Sequence, residues 1–325
     1  MDRALEHPEV FQGIAAWDEK MQSTLMYIEA IAPTSQTVLI TGETGVGKEL
    51  IAVAIHSLSH RQGEYVAVNI AGLDDSMFTD TLFGHIAGAY TGADKTRQGL
   101  IERAAGGTLF LDEIGDLSPA SQIRLLRLLE TREYYPLGSD LAKRTDARIL
   151  VSTNKDLKQE MREGRFRRDL YYRLKTHPVH IPSLRERSAD LPQLIDTFIR
   201  QAAEEFGREI PAVPPTLYVL LKSYHFPGNI RELKSLVFDA ISRQTSKSLD
   251  LSVFEEAVGE KEGSRTSNGN GAYFSNTEKL PTIKQATDSL IAEALSRANG
   301  NQSQAARMLG ISPQALSKRL KGPKD

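Results

Sequence analysis

One stretch narrows the folds open to this chain more than any other: Val38-Leu39-Ile40-Thr41 running into Gly42-Glu43-Thr44-Gly45-Val46-Gly47-Lys48-Glu49. The first four residues read as a short buried strand, and Glu49 to Leu58 as a helix with apolar residues at Leu50, Ile51, Ala54, Ile55 and Leu58. Between them three glycines let the backbone curl so that its N–H groups point inward at a phosphate chain. Lys48 brings a positive charge to the β- and γ-phosphates, and the helix N-terminus adds its partial positive charge. The hydroxyl residue that usually follows the lysine and binds Mg²⁺ is replaced by Glu49, whose carboxylate can hold the ion directly or through water. A glycine-rich turn without a ligand is the plain alternative. The strand before it and the helix after it favour a nucleotide.

A phosphate cradle by itself hydrolyses nothing. ATP hydrolysis also needs an acid to hold Mg²⁺ and a base to orient water, and a second parallel strand should end in both. Thr108-Leu109-Phe110-Leu111-Asp112-Glu113 fits: an apolar run suited to a strand covered on both faces, then two carboxylates. Asp112 is assigned to the Mg²⁺ shell and Glu113 to the attacking water. The expected fold is therefore α/β around a parallel sheet, with ATP and Mg²⁺ as cofactors.

At 325 residues the chain has room for two or three domains. A net charge of −2 excludes a chain basic throughout but admits a small basic module. With no cysteine there is neither a disulfide nor a thiolate metal site, which suits a reducing compartment. No apolar run approaches the length of a bilayer span and the N-terminus lacks the shape of a signal peptide, so a cytoplasmic protein without membrane insertion is expected.

Taken in order, Ile14 to Ile31 reads as a helix, with Phe11, Gly13 and Ile14 either walling an adenine or simply packing in the core. Tyr65-Val66-Ala67-Val68-Asn69 reads as a second strand, and Asn69 is a candidate partner for a catalytic carboxylate. In Leu82-Phe83-Gly84-His85-Ile86-Ala87-Gly88-Ala89-Tyr90-Thr91-Gly92-Ala93, glycines alternate with small residues around one aromatic. No continuous helix can form there, and the pattern predicts a mobile loop displaying Tyr90 at its tip as a contact residue.

These motifs together resemble the sigma-54-dependent transcription activators, the bacterial enhancer-binding branch of the AAA+ ATPases, over roughly residues 13 to 258 and again at the C-terminus. That family carries Gly-x-x-Gly-x-Gly-Lys-Glu in its phosphate loop, which accounts for Glu49, and a Gly-Ala-Phe-Thr-Gly-Ala loop that contacts sigma-54. Here the loop is Gly88-Ala89-Tyr90-Thr91-Gly92-Ala93, with tyrosine for phenylalanine. A hydroxyl desolvated at an interface without a partner costs on the order of 1–3 kcal/mol, so the substitution bears on coupling to sigma-54 and not on hydrolysis. The resemblance further implies a second inserted loop over residues 132–146 that moves with the first. It implies a sensor of the γ-phosphate at Thr153 and Asn154, and a role for Asn69 in holding Glu113 from water until the loop engages. It also makes Arg167 and Arg173 the arginines that reach the ATP of a neighbouring subunit, while Arg165 and Arg168 read as solvated or structural.

Ile181-Pro182-Ser183-Leu184-Arg185-Glu186-Arg187 matches the family's hinge into a helical lid, with helices expected over 191–206, 214–223 and 230–243. In His225-Phe226-Pro227-Gly228-Asn229-Ile230-Arg231, Phe226 supplies a hydrophobic plug and Arg231 is the expected second sensor, aimed at the phosphates by the turn at the helix start. Residues 259–280 are rich in Gly, Ser, Asn and charge, the composition of a flexible linker. Helices over 282–297, 301–309 and 312–320 then form a helix-turn-helix of the Fis type, packed through Ala305, Leu309, Ile311, Leu316 and Leu320. Lys284, Arg297, Arg307, Lys318, Arg319, Lys321 and Lys324 outnumber Asp288, Glu293 and Asp325, a balance suited to DNA phosphates. Gln314, Ser317 and Lys318 are the base-reading candidates, with Arg319 and Lys321 beside them. A helical dimerisation tail is the other reading of this segment.

The domain plan expected is thus an AAA+ α/β subdomain over 1–183, a lid over 184–258, the linker, and a DNA-binding domain over 281–325. The expected partners are the sigma-54 RNA polymerase holoenzyme, upstream enhancer DNA and other copies of the chain in a hexameric ring. No receiver-like segment precedes residue 13, which resembles the phage-shock type of activator and points to a separate inhibitory protein or to expression level as the control. Two competing functions differ in class. A DNA-binding regulator with an AAA+ core would not drive sigma-54, and relatives of that kind generally lose the Gly-Ala-aromatic-Thr-Gly-Ala loop. A general AAA+ unfoldase would carry an aromatic pore loop but no terminal DNA reader.

Overall fold

A computed structural model of the chain describes residues 5–244, 246–264 and 301–320, with residues 282, 287, 290, 291, 294, 295 and 298 between them. The chain divides into two compact units, Met1–Glu262 and Gly263–Asp325.

The first unit is built on five parallel strands: β1 (Val38–Thr41), β2 (Tyr65–Asn69), β3 (Thr108–Asp112), β4 (Arg148–Thr153) and β5 (His177–His180), in the spatial order β2-β3-β4-β1-β5. The three middle strands are buried nearly throughout because both sheet faces are covered. On one face Val38, Ile40, Phe110 and Leu150 meet α1 (Glu19–Ile31) and α2 (Lys48–Leu58). On the other, Leu39, Leu109, Leu111, Ile149 and Val151 meet α3 (Asp75–Phe83), α4 (Pro119–Thr131), α5 (Leu157–Arg162) and α6 (Arg168–Leu174). Capping sets several of these starts: Asp18, Asp74, Ser118 and Asp156 each accept a backbone N–H of the first turn. Not every apolar residue read on the helix after the loop is buried, for Leu50 on α2 is 52% exposed.

Arg148 opens β4 wholly buried and, among the described residues, its guanidinium bonds no carboxylate. Its guanidinium donates to the carbonyls of Ala32, Ile31 (3.1 Å) and Gln36 (3.2 Å), the end of α1 and the turn after it. The C-terminal carbonyls of a helix carry partial negative charge and have no partners within the helix, so a forked cation satisfies several of them together.

After the sheet come α7 (Leu191–Phe206), α8 (Pro215–Lys222), α9 (Asn229–Arg243) and α10 (Ser252–Ser264), which enclose a separate apolar cluster around Ile195, Leu217, Phe226, Leu233, Val237 and Phe254. Phe226 is fully buried, its ring centre 4.9 Å from that of Tyr224 in an edge-to-face arrangement, as the plug reading requires. The backbone of α10 continues to Ser264, so helix replaces the first part of the stretch read as linker; residues 265–280 lie outside the described residues.

In the second unit α11 (Gln302–Met308) and α12 (Pro313–Leu320) meet through Ala305, Ala306 and Leu316, with Leu309 and Ile311 packed against them. Asn301 caps α11, and the Ser312 hydroxyl accepts the Ala315 N–H at 3.2 Å at the start of α12. Gln314 is exposed and Ser317 half-buried; the side chains of Lys318, Arg319 and Leu320 and the whole of Lys321 lie outside the described residues. Most of the helix expected over 282–297 lies outside them as well. Among the described residues no helix is long and apolar enough to cross a membrane.

Candidate active site

The loop between β1 and α2 sits at the carboxyl ends of the parallel strands, where open α/β sheets bind ligands. Its backbone is held from outside. The Thr44 carbonyl accepts from Asn229 Nδ2 at 3.0 Å, the Gly45 carbonyl from the Ile230 N–H at 3.0 Å, and the Val46 carbonyl from Arg187 Nη2 at 2.9 Å. With consecutive carbonyls turned to the hinge and to α9, the loop's N–H groups are left for a phosphate. Gly45 has φ +81°, and a Cβ there would come within 2.2 Å of the Gly228 carbonyl, so both conformation and space demand glycine. Val46 takes part through its backbone alone, since its side chain is in the core.

Lys48 is buried, its ammonium 3.1 Å from the Gly42 carbonyl and 3.4 Å from Glu113 Oε1. The other Glu113 oxygen accepts the Asn154 N–H at 3.0 Å, and Asn154 Nδ2 donates to the Thr44 hydroxyl at 2.9 Å. Phosphate loop, carboxylate strand and sensor strand therefore close one network of Lys48, Glu113, Asn154 and Thr44. Glu113 itself has φ +62°, a left-handed conformation that side chains adopt at a cost of order 1 kcal/mol or more and that clusters at functional sites. Asp112, one residue earlier, accepts the Ser152 hydroxyl across β3 and β4.

Several residues stand elsewhere than expected. Asn69 is level with Asp112 in the β2–β3 register, but its Oδ1 accepts the Ala71 N–H at 2.8 Å and makes no bond to Glu113. A polar side chain ending a strand closed the local turn in preference to a longer reach. Thr153 is fully buried with its hydroxyl on the Lys155 N–H, so Asn154 alone of that pair reaches the loop. Glu43 turns to the hinge: it pairs with Arg185 and accepts from Asn229 Nδ2, and the Arg185 guanidinium holds its carboxyl down to about 2 from the ordinary 4.5. Arg231 is exposed, with its Cβ directly over Gly45. Ser152, Arg185 and Asn229 were not singled out in the sequence. Asn229 stood in a recognised turn, but its bonds depend on a loop 185 residues away.

For a divalent cation, no cluster of three or more acidic, histidine or cysteine ligands exists among the described residues. Mg²⁺ needs no such cluster, because it takes one or two carboxylates and completes its shell with water and substrate phosphates. Asp112 and Glu49 are the candidates. Both lie close enough to the buried Tyr65 hydroxyl for their charges, after burial itself, to push its ionisation upward.

Arg167 pairs with Asp169 at 2.7 Å, and Arg173 donates to the Leu129 carbonyl at 2.8 Å; neither bonds to the phosphate loop of its own chain. Arg165 is taken up by Glu160 and Glu163, and Arg168 lies over the Tyr172 ring.

The glycine-rich loop leaves the sheet after α3. Gly84-His85 pairs with Arg97-Gln98, and between them the Gly88 N–H bonds the Ala93 carbonyl (2.8 Å) and the Ala93 N–H the Tyr90 carbonyl (3.0 Å). Tyr90 is half exposed, its ring centre 5.1 Å from that of His85 in an edge-to-face arrangement. Ala93, expected as a contact residue, is buried and closes the loop's base instead. The stretch from Glu133 to Arg144 forms the second loop, whose Leu137 exchanges backbone bonds with Gly84 and Ile86 of the first.

Fold and site thus define a phosphate-loop ATPase with a helical lid and, in a separate unit, two packed helices joined by a tight turn. Family models agree segment by segment: a sigma-54 interaction domain over residues 14–180, an AAA+ ATPase lid domain over 185–270, and a bacterial regulatory protein of the Fis family over 288–322. The chain belongs to the sigma-54-dependent transcription regulators, and it is an AAA+ ATPase that activates transcription and carries a DNA-binding helix-turn-helix. It is 39% identical over 309 residues to the transcriptional regulatory protein ZraR of Escherichia coli (strain K12), covering 95% of this chain and 68% of that one. It is 37% identical over 327 residues to the DNA-binding transcriptional regulator NtrC of Rhizobium meliloti, covering 93% and 67%. The structure of NtrX from Brucella abortus in complex with ATP superposes with a TM-score of 0.69 at 28% identity, over 95% of this chain and 68% of that one.

Proposed function

We propose that ATP bound between adjacent copies of this chain, in a hexameric ring, drives the Tyr90 loop against sigma-54 holoenzyme and opens a promoter that the terminal helices hold from upstream DNA. The observation that carries the reading is the network of Lys48, Glu113, Asn154 and Thr44: the groups that would touch the γ-phosphate are bonded to one another. Glu113 takes a proton from water as the water oxygen bonds the γ-phosphorus. The bond to the β–γ bridging oxygen breaks, and Lys48 and the loop N–H groups neutralise the charge on departing ADP. Mg²⁺ at Asp112 and Glu49 would supply further charge neutralisation. Arg167 and Arg173, without bonds to their own loop, suit a role at a neighbour's ATP. Control by a separate inhibitory protein remains part of the proposal.

The test is to trap the full chain with ADP and aluminium fluoride, a mimic of the transferring phosphoryl group, and measure retention of sigma-54. Capture by the wild type and at least a tenfold loss in Tyr90→Ala is expected, with ATP hydrolysis kept in both. Hydrolysis and DNA binding without capture would instead describe a regulator that does not drive sigma-54.

A further inference from the structure

Arg187, which ends the hinge, and Asp190, three residues on, are 1% and 0% exposed, and neither takes part in the hydrolysis derived above. Arg187 Nη2 donates to the Val46 carbonyl of the phosphate loop at 2.9 Å. Asp190 Oδ1 accepts two backbone N–H groups from far earlier in the chain, Trp17 at 2.6 Å and Asp18 at 3.0 Å. Between the two side chains the charges do not close: Arg187 Nη1 and Asp190 Oδ2 stand 3.7 Å apart, and Arg187 Nε and Asp190 Oδ2 have no hydrogen-bond partner. A buried ion pair left open in this way is a poor source of stability, since desolvation is incurred in full and the attraction is only partly recovered. What the pair does have is reach. It joins three segments distant in sequence, and one of them is the backbone of the phosphate loop.

We infer that Arg187 and Asp190 are positioning residues that tie the phosphate loop to the backbone of Trp17 and Asp18, so that nucleotide at the loop is read out at this N-terminal segment. The inference rests on the reading of the loop as the nucleotide site. A phosphate drawing on the N–H groups of Gly45 to Lys48 reorients the same peptide units whose carbonyls face outward. Arg187 follows the Val46 carbonyl, Asp190 follows Arg187, and the two amides follow Asp190. The coupling is reciprocal, as any linkage between two binding equilibria must be: a ligand that displaces Trp17 weakens nucleotide binding. Asp18 also caps α1, by accepting the Lys20 N–H at 2.9 Å, so the displacement reaches the start of a core helix.

Trp17 is the only tryptophan in the sequence and is 68% exposed, so the chain carries its own reporter. Nucleotide binding to the full chain is measured by calorimetry, and Trp17 emission is followed separately with unlabelled, non-hydrolysable ATP. In the wild type, saturation is expected to change Trp17 emission and to alter hydrogen exchange of the Trp17 and Asp18 amides by at least threefold. Arg187→Gln and Asp190→Ala are expected to bind nucleotide about tenfold more weakly and to lose the Trp17 response at full saturation. Asp190→Asn keeps the acceptor for both amides and should retain part of it. A merely structural role would lower affinity yet leave the response per bound nucleotide intact, and that result overturns the inference. So does a wild type that binds nucleotide with unchanged emission and exchange, a measurement independent of whether any variant folds. If calorimetry shows no binding to the wild type, the nucleotide reading itself has failed and the inference falls with it.

Discussion

Glu113 and Glu43 show how differently two carboxylates of one residue type are used within a single site. Glu113 is held in a left-handed conformation at a strand end, and its two oxygens are oriented by Lys48 and the Asn154 N–H. Its expected role is chemical, so Glu113→Gln should lower ATP turnover by roughly 10²–10⁴-fold while nucleotide binding, measured by calorimetry, stays within a few-fold of wild type. Glu43 is structural. Its folded value of about 2 lies below the ordinary 4.5, so the pair with Arg185 contributes stability that is complete above about 4.5 and is lost as pH falls toward about 2. Both side chains are about 40% exposed, which limits the contribution to about 1 kcal/mol or less. Urea midpoints of wild type and Glu43→Gln should therefore differ less at pH 3 than at pH 6, with part of the difference still present at pH 3.

Between elements, packing sets what each piece can do. Gly138 of the second loop has φ +78°, and a Cβ there would come within 2.8 Å of the Ala89 Cβ in the first loop. Gly138→Ala should push the two loops apart and reduce sigma-54 capture at least tenfold, while hydrolysis by the distant network continues; a pull-down run beside a phosphate-release assay separates these effects. At the far end of the sheet, Arg148 satisfies the carbonyls that end α1. A buried acceptor left without its donor costs roughly 1–3 kcal/mol, so Arg148→Ala should destabilise the first unit by about 3 kcal/mol or more in urea titrations. Lysine, a point charge without the fork, should recover less than half of that loss.

At the scale of the whole molecule, the proposed pocket is incomplete within one copy. Arg167 and Arg173 are bonded to Asp169 and to the Leu129 carbonyl, and neither to the loop around Lys48. Specific ATPase activity should then rise with protein concentration as copies assemble, and Arg167→Ala or Arg173→Ala should lower turnover by about 10³-fold or more even in assembled protein. Activity independent of concentration, with both arginines replaced, would remove the shared-pocket reading.

What residue order determined by itself was whatever depends on local chemistry. The strand, turn and helix around Gly42 to Lys48 were legible because only glycines and a following lysine suit a phosphate there. The apolar run before Asp112 and Glu113 was legible because a strand buried on both faces needs one. Tertiary structure decided what lies between distant segments. It turned Asn69 to its own neighbour and not to Glu113, buried Ala93 and Thr153, left Leu50 in solvent, and set Asn229, Arg185 and Arg187 against the outside of the phosphate loop. A hydrogen bond forms with whichever partner the assembled fold brings within about 3 Å, and no spacing along the chain encodes that distance.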